Sequence, residues 1–326
     1  MIITRTPFRV SFAGGGSDQQ EFYSKHQGAV LSVTINKYIY LAIHPNFNKE
    51  KILLKYKKTE DVDHPKDLEN NIARSILSEY KVNGVEIEVI ADIPAQTGLG
   101  SSSSFAVGLH HLVSAYQKKT ISPEELAKRA CRTEILHLKS PIGKQDQYAA
   151  SFGGINFIQF MPSGKVTVEE VKIKPKTLEK LQNNLLLFYT GVTRSANNIL
   201  EKQKENIIKS NEVVATLEHM VEMAHHMKTV LESDDLENFG KLLHDSWMLK
   251  QSIADNVSNV EINNYYELAL KNGASGGKLL GAGGGGFLLF YCERSNQTKL
   301  RKALSKLREV PFSFTHEGSE IIFSSL

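Results

Sequence analysis

The chain has 326 residues, about twice the usual length of a single domain, so it can bury a large core and divide into two lobes. Its 39 basic and 36 acidic residues are mixed along the sequence, and the formal net charge of +3 predicts neither a nucleic-acid partner nor attraction to a membrane surface. The two cysteines, Cys131 and Cys292, lie at no metal-ligand spacing, which argues against a zinc site and a disulfide framework.

The N-terminal segment, Met1 to Arg5, lacks the long apolar run of a signal peptide. No later stretch is apolar enough to span a bilayer. We therefore expect a cytoplasmic protein with no membrane association.

The first glycine run, Ala13-Gly14-Gly15-Gly16-Ser17-Asp18, follows the strand-like segment Phe8 to Phe12. Three glycines remove side chains and leave room for a ligand near Asp18 and Arg9. Asp18 has an equally simple alternative, since aspartate is a common N-cap and a helix is predicted over Gln19 to Tyr23.

Alternating and helical patterns predict a mixed α/β first half. Val, Ile and Tyr recur at strand spacing in two runs, and apolar residues recur at helical spacing in two more. The strands are Ala29 to Ile43 and Glu86 to Ala91, and the helices are Phe105 to Tyr116 and Pro123 to Leu138.

The second glycine segment runs from Pro94 to Ser104 and lies between a predicted strand and a predicted helix. Gly98 and Gly100 allow close backbone approach, and the free N–H groups and dipole of a helix N-terminus attract phosphate. The following serines add hydroxyl groups for phosphate or magnesium, although one of them could simply cap the helix. A Walker A loop is excluded because no lysine occurs between Pro94 and Gln117.

A dinucleotide-binding fingerprint is the alternative for this segment. It is disfavoured because Ser103 occupies the third small position and no acidic residue for the ribose is evident.

The second half predicts a hairpin, a strand, a long helical region and a final mixed segment. These are Gly153 to Val171 with a turn at Pro162-Ser163-Gly164, Leu185 to Tyr189, residues 195–255, then the strand Phe287 to Tyr291, the helix Gln297 to Leu307 and the strand Glu320 to Phe323. The third glycine run, within Gly273 to Gly286, either closes over a ligand or packs against the other lobe.

Taken in order, the three glycine segments resemble the three signature motifs of the GHMP kinases, named for galactokinase, homoserine kinase, mevalonate kinase and phosphomevalonate kinase. The resemblance implies an α+β, two-lobed GHMP-kinase fold. It places a mixed α/β N-terminal, ATP-binding lobe at residues 1–165 and a ferredoxin-like α+β C-terminal lobe at 166–326. It also implies ATP and Mg²⁺ as cofactors.

The same resemblance assigns roles to residues. Asp146, in the segment Gly143 to Tyr148, matches the catalytic general base, and Arg9 matches the basic residue beside it, which favours the ionised carboxylate. The positions that wrap the ATP phosphates are Gly98, Leu99, Gly100, Ser101, Ser102 and Ser103. Ser102 and Glu134 match the magnesium ligands, with a surface glutamate as the alternative for Glu134.

Residues for the acceptor are assigned by their position in or near the motifs. They are Gly15, Gly16, Ser17, Asp18, Lys144, Arg194, Gly283 and Gly284. Lys144 and Arg194 are the candidates for an acceptor phosphate, with a solvated surface charge as the alternative for each.

Within the family, the first motif, the stretch Gly143 to Gly154 and the stretch Tyr189 to Arg194 look most like the bacterial D-glycero-D-manno-heptose 7-phosphate kinases. This implies phosphorylation of the anomeric C1 hydroxyl to a 1,7-bisphosphate, for nucleotide-activated heptose and surface polysaccharide. Fucokinase-like or galactokinase-like sugar 1-kinases and a non-catalytic sensor of the same fold remain alternatives. The sequence leaves open whether the protein forms homodimers.

Overall fold

A computed structural model describes residues 1–193 and 197–325. Among these residues, the strands run in chain order as β1 (Ile2–Ala13), β2 (Gly28–Pro45), β3 (Ile52–Lys55), β4 (Thr59–Val62), β5 (Val85–Ala91), β6 (Ile155–Phe160), β7 (Val166–Glu170), β8 (Leu185–Tyr189), β9 (Ala274–Leu279), β10 (Phe287–Cys292), β11 (Arg308–Glu309) and β12 (Glu320–Ser324). The predicted strand over Leu185 to Tyr189 and the hairpin turn between β6 and β7 are confirmed.

The helices of the same residues are α1 (Gln20–Tyr23), α2 (Asn71–Tyr80), α3 (Ser101–Tyr116), α4 (Pro123–Cys131), α5 (Gln145–Phe152), α6 (Pro175–Asn184), α7 (Asn197–Lys209), α8 (Asn211–Glu232), α9 (Phe239–Ser252), α10 (Val260–Lys271) and α11 (Arg294–Ala303). The helix predicted over Pro123 to Leu138 is correct to Cys131 and then changes to a π-helical turn over Arg132–His137. None of the helices described is both long and apolar enough to cross a membrane.

Two sheets organise the described residues. The larger has eight strands, with β12-β1-β2-β5-β3-β4 in order and β6 and β7 added alongside β2. Strands β1 and β2 are buried over most of their length because α3, α5 and α8 pack against them.

The smaller sheet has the order β11-β8-β10-β9, and all of its pairs are antiparallel. This 4-1-3-2 order is that of a ferredoxin-like fold, so the predicted C-terminal lobe type is confirmed.

The chain crosses between the lobes more than once. Strand β7 pairs with β6, and the final strand β12 returns to pair with β1 in the larger sheet. The division into 1–165 and 166–326 stays a prediction, and it falls in the turn of the β6–β7 hairpin. Helices α8 and α9 contact β1 and therefore join the helical region of the second half to the first lobe.

Candidate active site

A cavity of about 980 Å³ is lined by all three glycine segments. Its walls include Arg9 and Gly98 from the first half of the chain and Lys250 and Gly281 from the second. Small-molecule sites have volumes of roughly 300–1,000 Å³. The cavity therefore has room for a nucleotide together with an acceptor.

The second glycine segment forms the turn into helix α3. Gly100 is the N-cap residue with a φ of 79°, and in the described part of the chain no side chain caps this helix. The simple serine-cap interpretation is therefore wrong, and the first N–H groups of α3 remain available to a ligand. Ser101, Ser102 and Ser103 line the cavity beside them.

The second and third glycine segments touch each other. Gly98 has a φ of 85°, and a Cβ added there would lie 2.4 Å from the carbonyl oxygen of Leu280. A Cβ added at Gly281 would lie 2.4 Å from the Cα of Gly98. Glycine is required because the two backbones are in contact, and both residues line the cavity.

Arg9 and Asp146 form a bidentate ion pair, as the resemblance led us to expect. Arg9 Nε donates to Asp146 Oδ1 at 2.8 Å, and Nη2 donates to Oδ2 at 2.9 Å. Arg9 Nη1 also donates to the carbonyl oxygen of Gly98 at 2.7 Å, and Arg9 is only 5% exposed. The pair thus holds a carboxylate at a fixed position next to the second glycine segment.

Glu134 is buried beside Ser102. The Ser102 hydroxyl donates to Glu134 Oε1 at 2.5 Å, and Gln147 Nε2 donates to Oε2 at 2.6 Å. Because Glu134 is 1% exposed, the surface-glutamate alternative is wrong. Burial raises the pKa of Glu134, and hydrogen bonds from Ser102, Ser103 and Gln147 partly oppose that shift.

These oxygens fit a hard divalent cation. The carboxylate is surrounded by neutral donors, so it is a buried acid that a cation would neutralise. Among the described residues, no group of three or more His, Cys, Asp or Glu side chains gathers into a metal cluster. Mg²⁺ commonly binds through one or two carboxylates together with substrate phosphates, so its binding does not require such a cluster.

Asp18 caps a helix, but not the one predicted. Helix α1 begins at Gln20 without a side-chain cap from the residues described. Asp18 instead accepts hydrogen bonds from Gly16 N at 2.9 Å and from Gln145 N, at the first position of α5, at 3.1 Å. Burial, followed by the negative charge of Asp146, raises the pKa of Asp18. The first glycine run is thereby fastened to the helix that carries Asp146.

The remaining predicted acceptor residues divide by location. Gly15, Gly16 and Gly283 line the cavity, whereas the Ser17 hydroxyl contacts the backbone of Gly14 and Ala29. Gly284 N donates to Val257 O at 3.0 Å.

Lys144 is not among the residues lining the cavity, and Arg194 lies outside the described residues. The Lys144 ammonium lies 4.5 Å from the centre of the Tyr23 ring and donates to Gly164 O at 3.4 Å.

Several residues of the cavity were not predicted from the sequence. Buried polar atoms without a partner in the described structure belong to Ser11, Gln19, Gln145 and Gln203, and all four side chains line the cavity. Such atoms are normally satisfied by water or ligand. Lys250 and Lys278 are two further buried cations of the lining. Gln203 and Lys250 lie on helices whose sequences show only an amphipathic pattern, so no local signal marked them.

Comparison with known proteins agrees with this geometry. Residues 68–154 match the family described as GHMP kinases N terminal domain, and residues 227–310 match GHMP kinases C terminal. The chain is 32% identical to the D-glycero-alpha-D-manno-heptose 7-phosphate kinase of Campylobacter jejuni, over 97% of each chain.

Two further similarities extend the comparison. The chain is 25% identical over 93% of its length to the bifunctional fucokinase/GDP-fucose pyrophosphorylase of Arabidopsis thaliana, of which it covers 31%. A crystal structure of a D-glycero-D-manno-heptose 1-phosphate kinase from Bacteroides thetaiotaomicron has a TM-score of 0.81 at 24% identity, covering 99% of this chain and 100% of that one. The latter similarity supports the fold. With its two matched family segments and its full-length relative, this chain belongs to the GHMP kinases and is an ATP-dependent sugar kinase.

Proposed function

We propose that this kinase transfers the γ-phosphoryl group of ATP to the anomeric hydroxyl of D-glycero-D-manno-heptose 7-phosphate and uses Mg²⁺ as its cofactor. The observation that carries the proposal is the similarity to the Campylobacter jejuni heptose 7-phosphate kinase along nearly the whole of both chains. The product is a 1,7-bisphosphate.

The ATP phosphates lie, in this proposal, against the first turn of α3. Gly98 and Gly100 line the cavity there, and the helix dipole favours negative charge. Ser102 and Glu134 hold Mg²⁺, which when bound neutralises charge on the phosphate oxygens. These assignments are supported by the Ser102–Glu134 contact and by the burial of the carboxylate.

Asp146 acts as the general base. Its carboxylate takes the proton of the acceptor hydroxyl while the hydroxyl oxygen forms a bond to the γ-phosphorus and the bond from that phosphorus to the β,γ-bridging oxygen breaks, releasing ADP. Arg9 holds the carboxylate in place through two hydrogen bonds and adds positive charge near the transferring group. The anomeric hydroxyl suits a carboxylate base because it is more acidic than an ordinary alcohol.

The acceptor occupies the side of the cavity formed by Gly15 and Gly16. The unpartnered polar atoms of Ser11, Gln19, Gln145 and Gln203 suit a ligand rich in hydroxyl groups. This arrangement supports a sugar over an apolar acceptor.

A panel of acceptors assayed with ATP and Mg²⁺ tests the proposal. It contains heptose 7-phosphate, heptose 1-phosphate, unphosphorylated heptose, fucose and galactose, and the products are identified by ³¹P NMR. We expect the highest kcat/KM with heptose 7-phosphate and a new phosphorus signal coupled to the anomeric proton.

Three outcomes contradict the proposal. Equal activity on fucose or galactose favours a sugar 1-kinase like the fucokinase relative. Preference for heptose 1-phosphate favours phosphorylation at the other end of the sugar. Both reactions give the same bisphosphate, so the preferred acceptor is what distinguishes them. If no acceptor is phosphorylated, heptose 7-phosphate is not the substrate and the proposal is wrong.

A further inference from the structure

Lys250 is a buried cation in the cavity and lies outside all three glycine segments. It belongs to helix α9, is 8% exposed and lines the cavity. Its ammonium donates to the carbonyl oxygen of Gly281, in the third glycine run. Among the residues described, no carboxylate pairs with it within 4.0 Å.

The ammonium lies where the first and third glycine runs meet. A Cβ added at Gly15 would be 4.0 Å from Lys250 Nζ, 3.6 Å from Gln145 Nε2 and 3.7 Å from Ser11 Oγ. Lys250 therefore faces the side of the cavity that also holds unpartnered polar atoms of Gln145 and Ser11.

The charged groups that influence this ammonium are Arg9, Asp18, Asp146 and Lys278. Both acids are already engaged, since Asp146 is paired with Arg9 and Asp18 accepts from Gly16 and Gln145. Lys278 is bonded to the carbonyl oxygen of Phe12 at 2.8 Å. Lys250 thus has a backbone oxygen as its hydrogen-bond partner, and its ammonium has further N–H donors available for a ligand.

A buried ammonium is costly unless an anion neutralises it. Burial, reinforced by the charge of Arg9 and partly offset by Asp18 and Asp146, lowers the pKa of Lys250 to about 8. The side chain is therefore still mainly charged at neutral pH. An anionic ligand entering the cavity would supply the missing counter-charge.

We propose that Lys250 binds phosphoryl oxygens in the acceptor half of the site. The oxygens belong either to the acceptor's own phosphate or to the γ-phosphoryl group during transfer, and both present the same chemistry to an ammonium. The first source rests on the proposed function, whereas the second requires only that the protein is a sugar kinase. Lys250 fits the first role better than Lys144, whose amine is turned onto Tyr23 and Gly164.

Lys250→Met tests this assignment because it keeps an unbranched stem and removes the charge. Lys241→Met, at an exposed position of the same helix, is the matched control. The kinetic constants are measured for ATP, for the phosphorylated sugar and for its unphosphorylated counterpart, with a melting curve for each variant. We expect kcat/KM for the phosphorylated sugar to fall by about ten- to hundredfold, the effect of losing one charge-assisted hydrogen bond.

The kinetic constants distinguish the acceptor's own phosphate from the γ-phosphoryl group of ATP. A raised KM for the phosphorylated sugar alone identifies the acceptor's own phosphate. An equal fall in kcat with both sugars, without a change in ATP affinity, identifies the transferring group. Constants equal to those of Lys241→Met overturn the proposal. A wild-type enzyme without preference for phosphorylated sugars refutes the proposed function but leaves the kcat comparison to decide on Lys250.

A second measurement does not depend on the folding of the methionine variant. In the wild-type enzyme, kcat/KM for the sugar is expected to fall above about pH 8, as the free ammonium of Lys250 loses its proton. Lys250→Arg keeps its charge in this range and should remove that alkaline limb. An alkaline limb that persists unchanged in Lys250→Arg contradicts the proposal.

Discussion

Replacing Asp146 by Asn preserves the size of the side chain but removes its charge and its ability to take up a proton. If Asp146 is the general base, turnover should fall by about a hundred- to ten-thousandfold. This corresponds to about 3–5 kcal/mol in the activation barrier. ATP affinity should change little, because the proposed phosphate and magnesium contacts lie on α3, Ser102 and Glu134.

The structure also sets the expected change in stability. Arg9 is 5% exposed and now donates twice to Asp146, whose side chain is 23% exposed. The Asn oxygen retains one of these hydrogen bonds, and Gly98 O retains another contact with the guanidinium. Complete loss of a buried partner costs about 3–5 kcal/mol, so we expect a smaller decrease of about 2 kcal/mol in the free energy of unfolding.

The assay combines single-turnover kinetics, calorimetric titration with ATP and urea denaturation. Asp61→Asn serves as the control, because Asp61 is an exposed aspartate of β4. Near-normal turnover in a folded Asp146→Asn variant would refute the role of general base and leave Asp146 as an orienting residue. If the variant unfolds early, Arg9→Met combined with Asp146→Asn removes the uncompensated cation and allows ATP binding to be compared.

Two further substitutions test the proposed metal and acceptor contacts. Glu134→Gln should raise the Mg²⁺ concentration for half-maximal activity by at least about tenfold. Burial raises the pKa of Glu134 in the folded protein, so folding favours the protonated side chain. The contribution of Glu134 to the free energy of unfolding is therefore fully present below the unfolded pKa and is lost as the pH rises through the folded pKa. Metal-free Glu134→Gln should therefore gain stability relative to wild type as the pH rises above the ordinary range of a glutamate, measured by urea denaturation, and a constant difference would contradict this. Gln203→Met should raise the KM for the sugar about tenfold without lowering the melting temperature, because the amide nitrogen of Gln203 has no partner in the described structure. Lys202→Met, at an exposed site, is the control. Equal KM values for the two variants would show that Gln203 does not contact the acceptor.

Local sequence patterns were sufficient for most of the strands and helices. Strand β8 was predicted over its observed residues because its apolar run is short and bounded by a polar segment. Helix α11 was displaced, since it begins at Arg294 and ends at Ala303, earlier than the predicted Gln297 to Leu307. Helix ends are poorly marked where no capping side chain is present, and α11 has none among the residues described.

The glycine segments could be recognised from the sequence because glycine is required by local backbone geometry and close approach. Gly98, Gly100 and Gly281 all have positive φ, and their order along the chain carries the family resemblance. That resemblance also predicted the pairing of Arg9 with Asp146, which neither residue's neighbours could indicate. The pair is separated by 137 positions and forms only when β1 and α5 are packed together.

Other features were decided by the tertiary structure alone. Asp18 caps α5, from 127 positions away, because the fold brings the first glycine run onto that helix. Glu134 reaches Ser102 from a π-helical turn, a departure from the α-helix that periodicity did not predict. Lys250 appears in the sequence as one more lysine of an amphipathic helix. Its burial without a carboxylate partner in the described residues, and hence its proposed affinity for phosphate, arises only because α9 packs against strands of both sheets, where an unpaired buried charge is costly.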